Sequence, residues 1–480
     1  MTEVRNVTTL DGIKITGWDE TPQRLIIDAE WTEPRGSIEA CRQCGAIGAT
    51  LHKHDWIERK VRDTPWGGKP LAIRLQRRRY RCTECGGTVL SAHPAIHDTR
   101  NMTSALVEKV RRDALGPYRF NMLAHQVGSS ETPIRAIFRD HTRDLDERPY
   151  PVPLVLGIDE VHVPGNRRPH AVIADIWEGK AVEMLRTTRK RALYQYLSDL
   201  EDGRFSHRPV PPADKEAATF SPEEAKDAYW TPPEEDLNDT PLAVVIDMTP
   251  RYRAAIEAAM PDALVVVDRF HLLRQANRAL GQVRVQESKR TRLETEWKRE
   301  RKRLGKLKEQ LGSMDRMMLE AAFERHPRMK RAYRARNQFR KIFALKSRQA
   351  ADAALREWEG SLHPSIASAF EGVTRALENW RTEILNYFTA RYTNGRVEGL
   401  NRAIQQIQAE GAGYSFEALR AKVIYGLERR REARERPTVH YSQFPPPPDV
   451  VAGHYGIEDP SDAIRLGVPF DRIADDLELW

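Results

Sequence analysis

The sequence predicts a multidomain α/β protein whose centre is a mixed five-stranded sheet with helices. Three observations predict it. Strand-length apolar segments alternate with helical ones between residues 154 and 270. Two Cys-x-x-Cys-Gly pairs hold all four cysteines within the first fifth of the chain. Residues 274–390 read as helix with a strong excess of Lys and Arg. The 480 residues give length for roughly three or four domains, and 40% hydrophobic content supports real cores and excludes wholesale disorder. No apolar run approaches the ~18–20 residues of a membrane span, and Met1 to Trp18 lacks an apolar signal core. The expectation is a soluble cytoplasmic protein with no membrane partner.

Residues 1–100 form the first predicted unit. Cys41-Arg-Gln-Cys44-Gly45 and Cys82-Thr-Glu-Cys85-Gly86 are knuckles, and the alternating segments Leu71–Gln76 and Arg77–Arg81 between them read as strands. Paired knuckles at hairpin tips build a zinc ribbon, so Cys41, Cys44, Cys82 and Cys85 are expected to hold one structural Zn²⁺. The 37-residue gap implies an inserted hairpin; His52 and His54 stand nearby as alternative ligands. Residues 101–150 form the second unit. Leu123–Ile137 fits a helix-turn-helix: Ala124 is small inside the first helix, Gly128 takes the turn, Ser130 or Thr132 caps, and Ile134 and Ile137 anchor the second helix. An ordinary helical hairpin has the same pattern. On the first reading Arg135 and Arg139 face DNA.

The predicted core begins in 151–273. Leu154–Val163, Ala171–Trp177 and Ala181–Leu185 form an antiparallel meander, and 190–200 reads as helix. Residues 201–240 are acidic and Pro-rich, a surface insertion. Pro241–Ile246 and Ala263–Val267 are buried-type strands separated by a helix from Arg251 to Met260, with another helix from Phe270 onward; this portion reads as parallel and covered on both faces. A helical block, 274–390, follows, then a helix-bearing segment, 391–435, and last a linker with tail, 436–480, in which Pro445–Pro448 precede acidic residues.

The net charge of +8 hides a division. Residues 201–240 carry −7 and residues 449–480 carry −6, so the remaining 408 carry +21. That excess points to a polyanion, with nucleic acid first. Arg77, Arg78 and Arg79 are candidate DNA contacts in the ribbon. One expectation for the acidic segments is that they compete with DNA for the basic surface.

Three acids stand on or directly after apolar strands: Asp159, Asp247 and Asp268. Each alone suits a turn or cap; together on neighbouring strands they can converge on a metal. Downstream, Asn394-Gly395 precede a helix in which Glu398, Asn401 and Arg402 share one face while Leu400, Ile404 and Ile407 form an apolar stripe. A solvated Glu favoured by the helix dipole is the plainer account of Glu398.

Gly157-Ile-Asp159-Glu160, Asp247-Met248, Asp268-Arg-Phe-His271 and Asn394-x-x-x-Glu398-Gly-x-Asn401 resemble the ISL-three family of bacterial insertion-sequence DDE transposases, over nearly the whole chain to about residue 435. The resemblance implies a ribonuclease H-like catalytic core and a catalytic triad, Asp159, Asp247 and Glu398, holding two Mg²⁺ (or Mn²⁺) ions per site. Asp268 is the alternative second acid, and His271 and Asn401 are accessory candidates. It implies double-stranded DNA as partner, both terminal inverted repeats and target, a homodimer that synapses two ends, and nucleoid association. The helical insertion 274–390 would track DNA or hold the second protomer. The sequence departs from the family where Gln405 and Gln408 stand in place of lysines. Competing readings are a non-catalytic DNA-binding regulator, a structure-specific nuclease, and, more remotely, a zinc redox protein.

Overall fold

A computed structural model of the chain describes residues 7–31, 41, 43–47, 51–90, 93–148, 153–201, 243–291 and 294–427. The acidic insertion beyond Glu201, the Pro-rich linker and the acidic tail read from the sequence lie outside the described residues.

The N-terminal sheet is larger than a ribbon. Strands β1 (Ile13–Glu20), β2 (Leu25–Trp31), β3 (Leu51–Trp66), β4 (Lys69–Cys82) and β5 (Thr88–Leu90) pair in the order β1-β2-β4-β3, with β5 on β4. β3 and β4 are the inserted hairpin expected between the knuckles. Trp66 pairs with Lys69 across Gly67-Gly68, both at positive φ as a two-residue hairpin turn requires. Ile27, Val61, Ile73 and Leu75 fill a core of their own. Asp63, fully buried, ties this unit together: Thr8 Oγ1 (2.6 Å), Thr9 N (2.7 Å), Thr9 Oγ1 (2.6 Å), Thr64 N (2.7 Å) and Thr103 Oγ1 (2.7 Å) all donate to it. A buried carboxylate needs this degree of satisfaction.

Thr103 also caps α1 (Ser104–Leu115), its hydroxyl accepting from Leu106 N. α2 (Phe120–Gln126) and α3 (Glu131–Asp146) follow. Gly128 turns the chain at φ +62°, Ser130 holds the N-cap position without a side-chain bond, and Ala124, Ile134 and Ile137 are buried.

The central sheet is assembled as expected, with edges trimmed by a few residues. β6 (Val155–Val161), β7 (His170–Asp175) and β8 (Lys180–Leu185) are antiparallel neighbours; β9 (Ala243–Ile246) lies parallel to β6, and β10 (Leu264–Val267) parallel to β9. The order is β10-β9-β6-β7-β8. Every residue of β9 is buried, as a parallel strand covered on both faces must be. Helices α4 (Lys190–Glu201) and α5 (Pro250–Ala259) pack on each other. α6 runs unbroken over Arg269–Thr291, so the boundary expected at 273/274 falls inside a helix.

The rest is helical: α7 (Glu294–Gly305), α8 (Ser313–Arg325), α9 (Pro327–Ile342), α10 (Arg348–Ser361), α11 (Pro364–Asn386), α12 (Gly395–Glu410) and α13 (Phe416–Ile424). α9 and α11 pack on α6, and α11 also lies on β10, where Asn386 Nδ2 donates to Val265 O at 2.8 Å. The helical block therefore shares one apolar core with the sheet. α13 completes the other core, contributing Ala418 and Ala421 to the α1–α3 cluster. Its Lys422 is fully buried, with Nζ donating to Ala114 O (2.5 Å) and Gly116 O (2.7 Å) at the C-terminal end of α1. Arg420 spans from Glu183 on β8 (2.5 Å) to Asp146 on α3 (2.9 Å).

α12 lies across β6 at Gly157. A Cβ there would stand 2.6 Å from Val397 Cγ2, 2.8 Å from Asn394 Oδ1 and 2.9 Å from Ile176 Cδ1. Gly157→Ala is expected to lower the unfolding free energy by about 1–3 kcal/mol, the usual cost of overpacking. Gly281→Ala, whose Cβ meets nothing within 4 Å on α6, is expected to be neutral or slightly stabilising. Urea denaturation of the two variants checks the contrast.

Candidate active site and metal centre

Among the described residues, one group of three or more His, Cys, Asp or Glu brings its ligand atoms within 4.8 Å of one another: Cys41, Cys44, Cys82 and Cys85. Each knuckle is closed by a glycine at positive φ, Gly45 (+72°) and Gly86 (+67°), whose amides donate to Cys41 O (2.8 Å) and Cys82 O (3.0 Å). Cys41 Sγ and Cys85 Sγ are 3.9 Å apart. Thiolates around a tetrahedral zinc with Zn–S of about 2.3 Å stand roughly 3.8 Å apart, so the set fits the ion. Backbone N–H groups of Cys44 and Gln43 pull the Cys41 thiol down to about 7. Cys44 is pushed up to about 11: the Ala46 amide lowers it, but the neighbouring sulfurs, Cys85 foremost, and burial outweigh that. Four crowded thiols of which one ionises readily are a site prepared for a cation. His52 and His54 are exposed on β3 and lie outside this group. Zinc removal is expected to loosen β3–β4: Cys82→Ser should drop the metal content from one zinc per chain to none, read by elemental analysis.

The second site is a row of acids. β6, β9 and β10 end their pairing at Ile158, Ile246 and Val267 in register. Asp159, Asp247 and Asp268 are the next residue on each, so three carboxylates stand side by side at the C-terminal ends of parallel strands, where ligands of open α/β sheets bind. Asp159 is buried; its Oδ1 accepts from Glu160 N (2.8 Å) and its Oδ2 from Asn401 Nδ2 (2.9 Å). Burial is the main reason its carboxyl is pushed up to about 6; Asp247 and Asp268 add to the rise and His271 opposes it. Asp247 is raised too, chiefly by burial. Asp268 is fully buried, and His271 Nδ1 lies 3.4 Å from its Oδ2, which holds the imidazole above its usual range. Asp247 Oδ1 is buried without a hydrogen-bond partner.

Glu398 is delivered by α12. Asn394 precedes the helix, fully buried, with Nδ2 donating to Ile158 O at 3.2 Å. Leu400, Ile404 and Ile407 form the buried stripe expected of them, and Val397 extends it. Glu398 is partly exposed, and Arg274 donates to its Oε1 at 3.1 Å. Arg274 lies one turn beyond His271 on α6. Glu160, next to Asp159, is bound by Arg251 and by Tyr252 OH (3.2 Å). Sequence reading missed Arg274 and Arg251; the spacing 268, 271, 274, one helical face, was the signal for the first. Asp159, Asp247 and Glu398 do not close to the 4.8 Å spacing of a single-ion cluster.

The basic candidates fare unevenly. Arg77 is buried, its charge disfavoured by desolvation, so the expectation that it faces DNA is corrected. Arg79 is held by both oxygens of Asp55, and Arg78 stacks 4.2 Å over the ring of Trp56. Arg139 is exposed on α3; Arg135 is exposed but paired with Glu131 (2.5 Å).

Residues 227–423 match a family model described as a transposase, of the DDE type in the ISL3 family, and residues 39–85 match the zinc-finger of transposase IS204/IS1001/IS1096/IS1165. Together these matches support a DNA transposase of the ISL3 family with an N-terminal zinc ribbon. It is similar to the transposase for insertion sequence element IS1001 of Bordetella parapertussis, 23% identical over 415 residues, covering 84% of this chain and 91% of that protein. Among the described residues no helix is long and apolar enough to cross a membrane.

The raised Asp159 carboxyl has a stability consequence. The folded protein binds that proton more tightly than the unfolded chain, so stability falls as pH rises from about 4 to about 6. Asp159→Asn is expected to stabilise the magnesium-free protein by up to about 3 kcal/mol at pH 7 and by nothing below about pH 4, measured by urea denaturation at the two pH values.

Proposed function

We propose that Asp159, Asp247 and Glu398 are the catalytic acids of a DNA cleavage and strand-transfer reaction at the ends of a mobile element. The observation that carries the reading is the row of three carboxylates on neighbouring strands, two of them buried, with the Glu398 helix lying across β6. The sheet order β10-β9-β6-β7-β8, with β6–β8 antiparallel and β9 and β10 parallel to β6, agrees with the order expected of a ribonuclease H-like core and supports the same reading.

The residues present fit magnesium or manganese. Hard carboxylate oxygens are the donors, and one of them, Asp247 Oδ1, is buried and unpartnered. Asp159 would be shared between two ions, with Asp247 and Glu398 each on one, a division that does not need all three acids within reach of one centre. Two such ions supply activation of the attacking oxygen and stabilisation of the leaving one in an in-line displacement. Asp247 is favoured over Asp268 because it adjoins Asp159 in the row, whereas Asp268 is engaged with His271. His271 lies beside Asp268, and the charges of Asp268 and Asp247 favour its protonated form. Arg274 keeps Glu398 in place and, on the rim, lies where a phosphate would enter. Water cuts at the element end, and the freed 3′-OH attacks target DNA at the same site.

The zinc ribbon and the α1–α3 unit, read as a helix-turn-helix, recognise the terminal inverted repeats, with Arg139 the exposed contact on α3. The basic helical block follows the DNA backbone, and two copies hold two ends. Asp159→Ala, Asp247→Ala and Glu398→Ala are each expected to reduce Mg²⁺-dependent nicking of terminal-repeat DNA by ~10³-fold or more while end binding is retained. Binding without any nicking by the parent protein would identify a non-catalytic regulator instead. Cleavage with no strand joining and no preference for the repeats would identify a nuclease.

A further inference from the structure

β6 extends past its parallel neighbour. β9 pairs with it only as far as Ile158, yet β6 runs on to Val161. Ile158 and Glu160 share one parity, so their carbonyls leave the same edge of the strand; the His162 carbonyl follows directly after the strand. Carboxamides of one helix meet all three. Asn394 Nδ2 donates to Ile158 O (3.2 Å), Asn401 Nδ2 reaches Glu160 O (3.5 Å), and Gln405 Nε2 donates to His162 O (3.1 Å). The ladder runs from a fully buried end at Asn394 to an exposed one at Gln405. Asn401 makes its shorter bond to the acid itself, 2.9 Å from Asp159 Oδ2.

The residue type matters. A Lys or Arg at position 401 would neutralise Asp159 and compete with any cation there. A neutral amide fixes the rotation of the carboxylate while leaving its charge available. Glu398 sits on the same helix between Asn394 and Asn401, so the bonds that seat these two residues on β6 also seat Glu398 relative to Asp159.

We propose that Asn401 is a positioning residue for Asp159, and that with Asn394 and Gln405 it sets the spacing between the Asp159 carboxylate and Glu398. The inference rests on the catalytic reading of these two acids. It also gives Gln405 a task at the end of β6, at a position where the sequence alone showed only a departure from the family's lysine.

The test uses the zinc-loaded, DNA-free, full-length protein titrated with Mn²⁺ by calorimetry, with nicking of terminal-repeat DNA measured alongside and kcat separated from KM. Asn401→Ala is expected to weaken Mn²⁺ binding and lower kcat by ~10–100-fold, the range for losing a hydrogen bond that orients a ligand, with KM for end DNA and the melting temperature unchanged. Equal Mn²⁺ affinity and equal kcat in variant and parent overturn the proposal. A parent that neither binds Mn²⁺ nor nicks DNA overturns the catalytic reading itself, and the proposal with it. Should Asn401→Ala melt early, Gln405 decides: Gln405→Ala should lower kcat and Gln405→Lys, which keeps a donor over His162 O, should restore it. Gln405→Ala matching the parent overturns the proposal.

Discussion

The closeness of α12 to β6 is the constraint on which the acid site depends. Glu398 is 239 positions after Asp159 in the chain, with a helical block between them, and only the seating of its helix brings the two together. Gly157 permits that seating, because any side chain there would meet Val397, Asn394 and Ile176 within 3 Å. Val397, Leu400, Ile404 and Ile407 drive it by burying an apolar stripe, and the amides of Asn394 and Asn401 fix the register that apolar contact alone leaves loose. Hydrophobic burial supplies most of the free energy, and directional hydrogen bonds supply the orientation.

What is seated there works against folding. Three carboxylates in one row, two of them buried, repel one another and lose hydration. The surroundings offset part of this: Asn401 and the Glu160 amide serve Asp159, His271 serves Asp268, Arg274 serves Glu398, and Arg251 serves Glu160. The compensation is incomplete, which is why Asp159 keeps its proton to about pH 6. Such an arrangement is costly to the free chain, and a positive charge placed there would relieve it. The zinc centre resolves the same problem with softer atoms.

Much of this was legible in the sequence, and the reasons differ by element. β9, β10 and the first half of β6 are largely buried on both faces, so they appear as apolar runs, and the acids at 159, 247 and 268 stand out. The CxxC-Gly pairs are legible because the backbone turn itself demands the glycine. β1 and β2 went unread: β1 has few apolar residues, while β2 carries its signal in strict alternation, with Leu25, Ile27, Ala29 and Trp31 inward. The same alternation puts Arg77 in line with Leu71, Ile73 and Leu75 on the buried face of β4; counting basic residues concealed what parity would have revealed. The domain boundaries were the least legible. α6 serves the sheet at one end and the helical block at the other, and α13 completes a core whose other helices lie some 300 positions earlier. No local pattern encodes such sharing.

The buried Lys422 and the Arg420 bridge have a consequence of scale. They join α1–α3 to the helix that directly follows the Glu398 helix, and to β8 of the same sheet. Two modules connected by a flexible tether search many separations; two that share side chains in a single core have one. The protein is in this respect a caliper. On the proposed reading, bases gripped by α3 and a phosphate presented to the acids would be held at an offset measured in the protein rather than in the DNA, and the interval between recognised sequence and cut would be written into the fold.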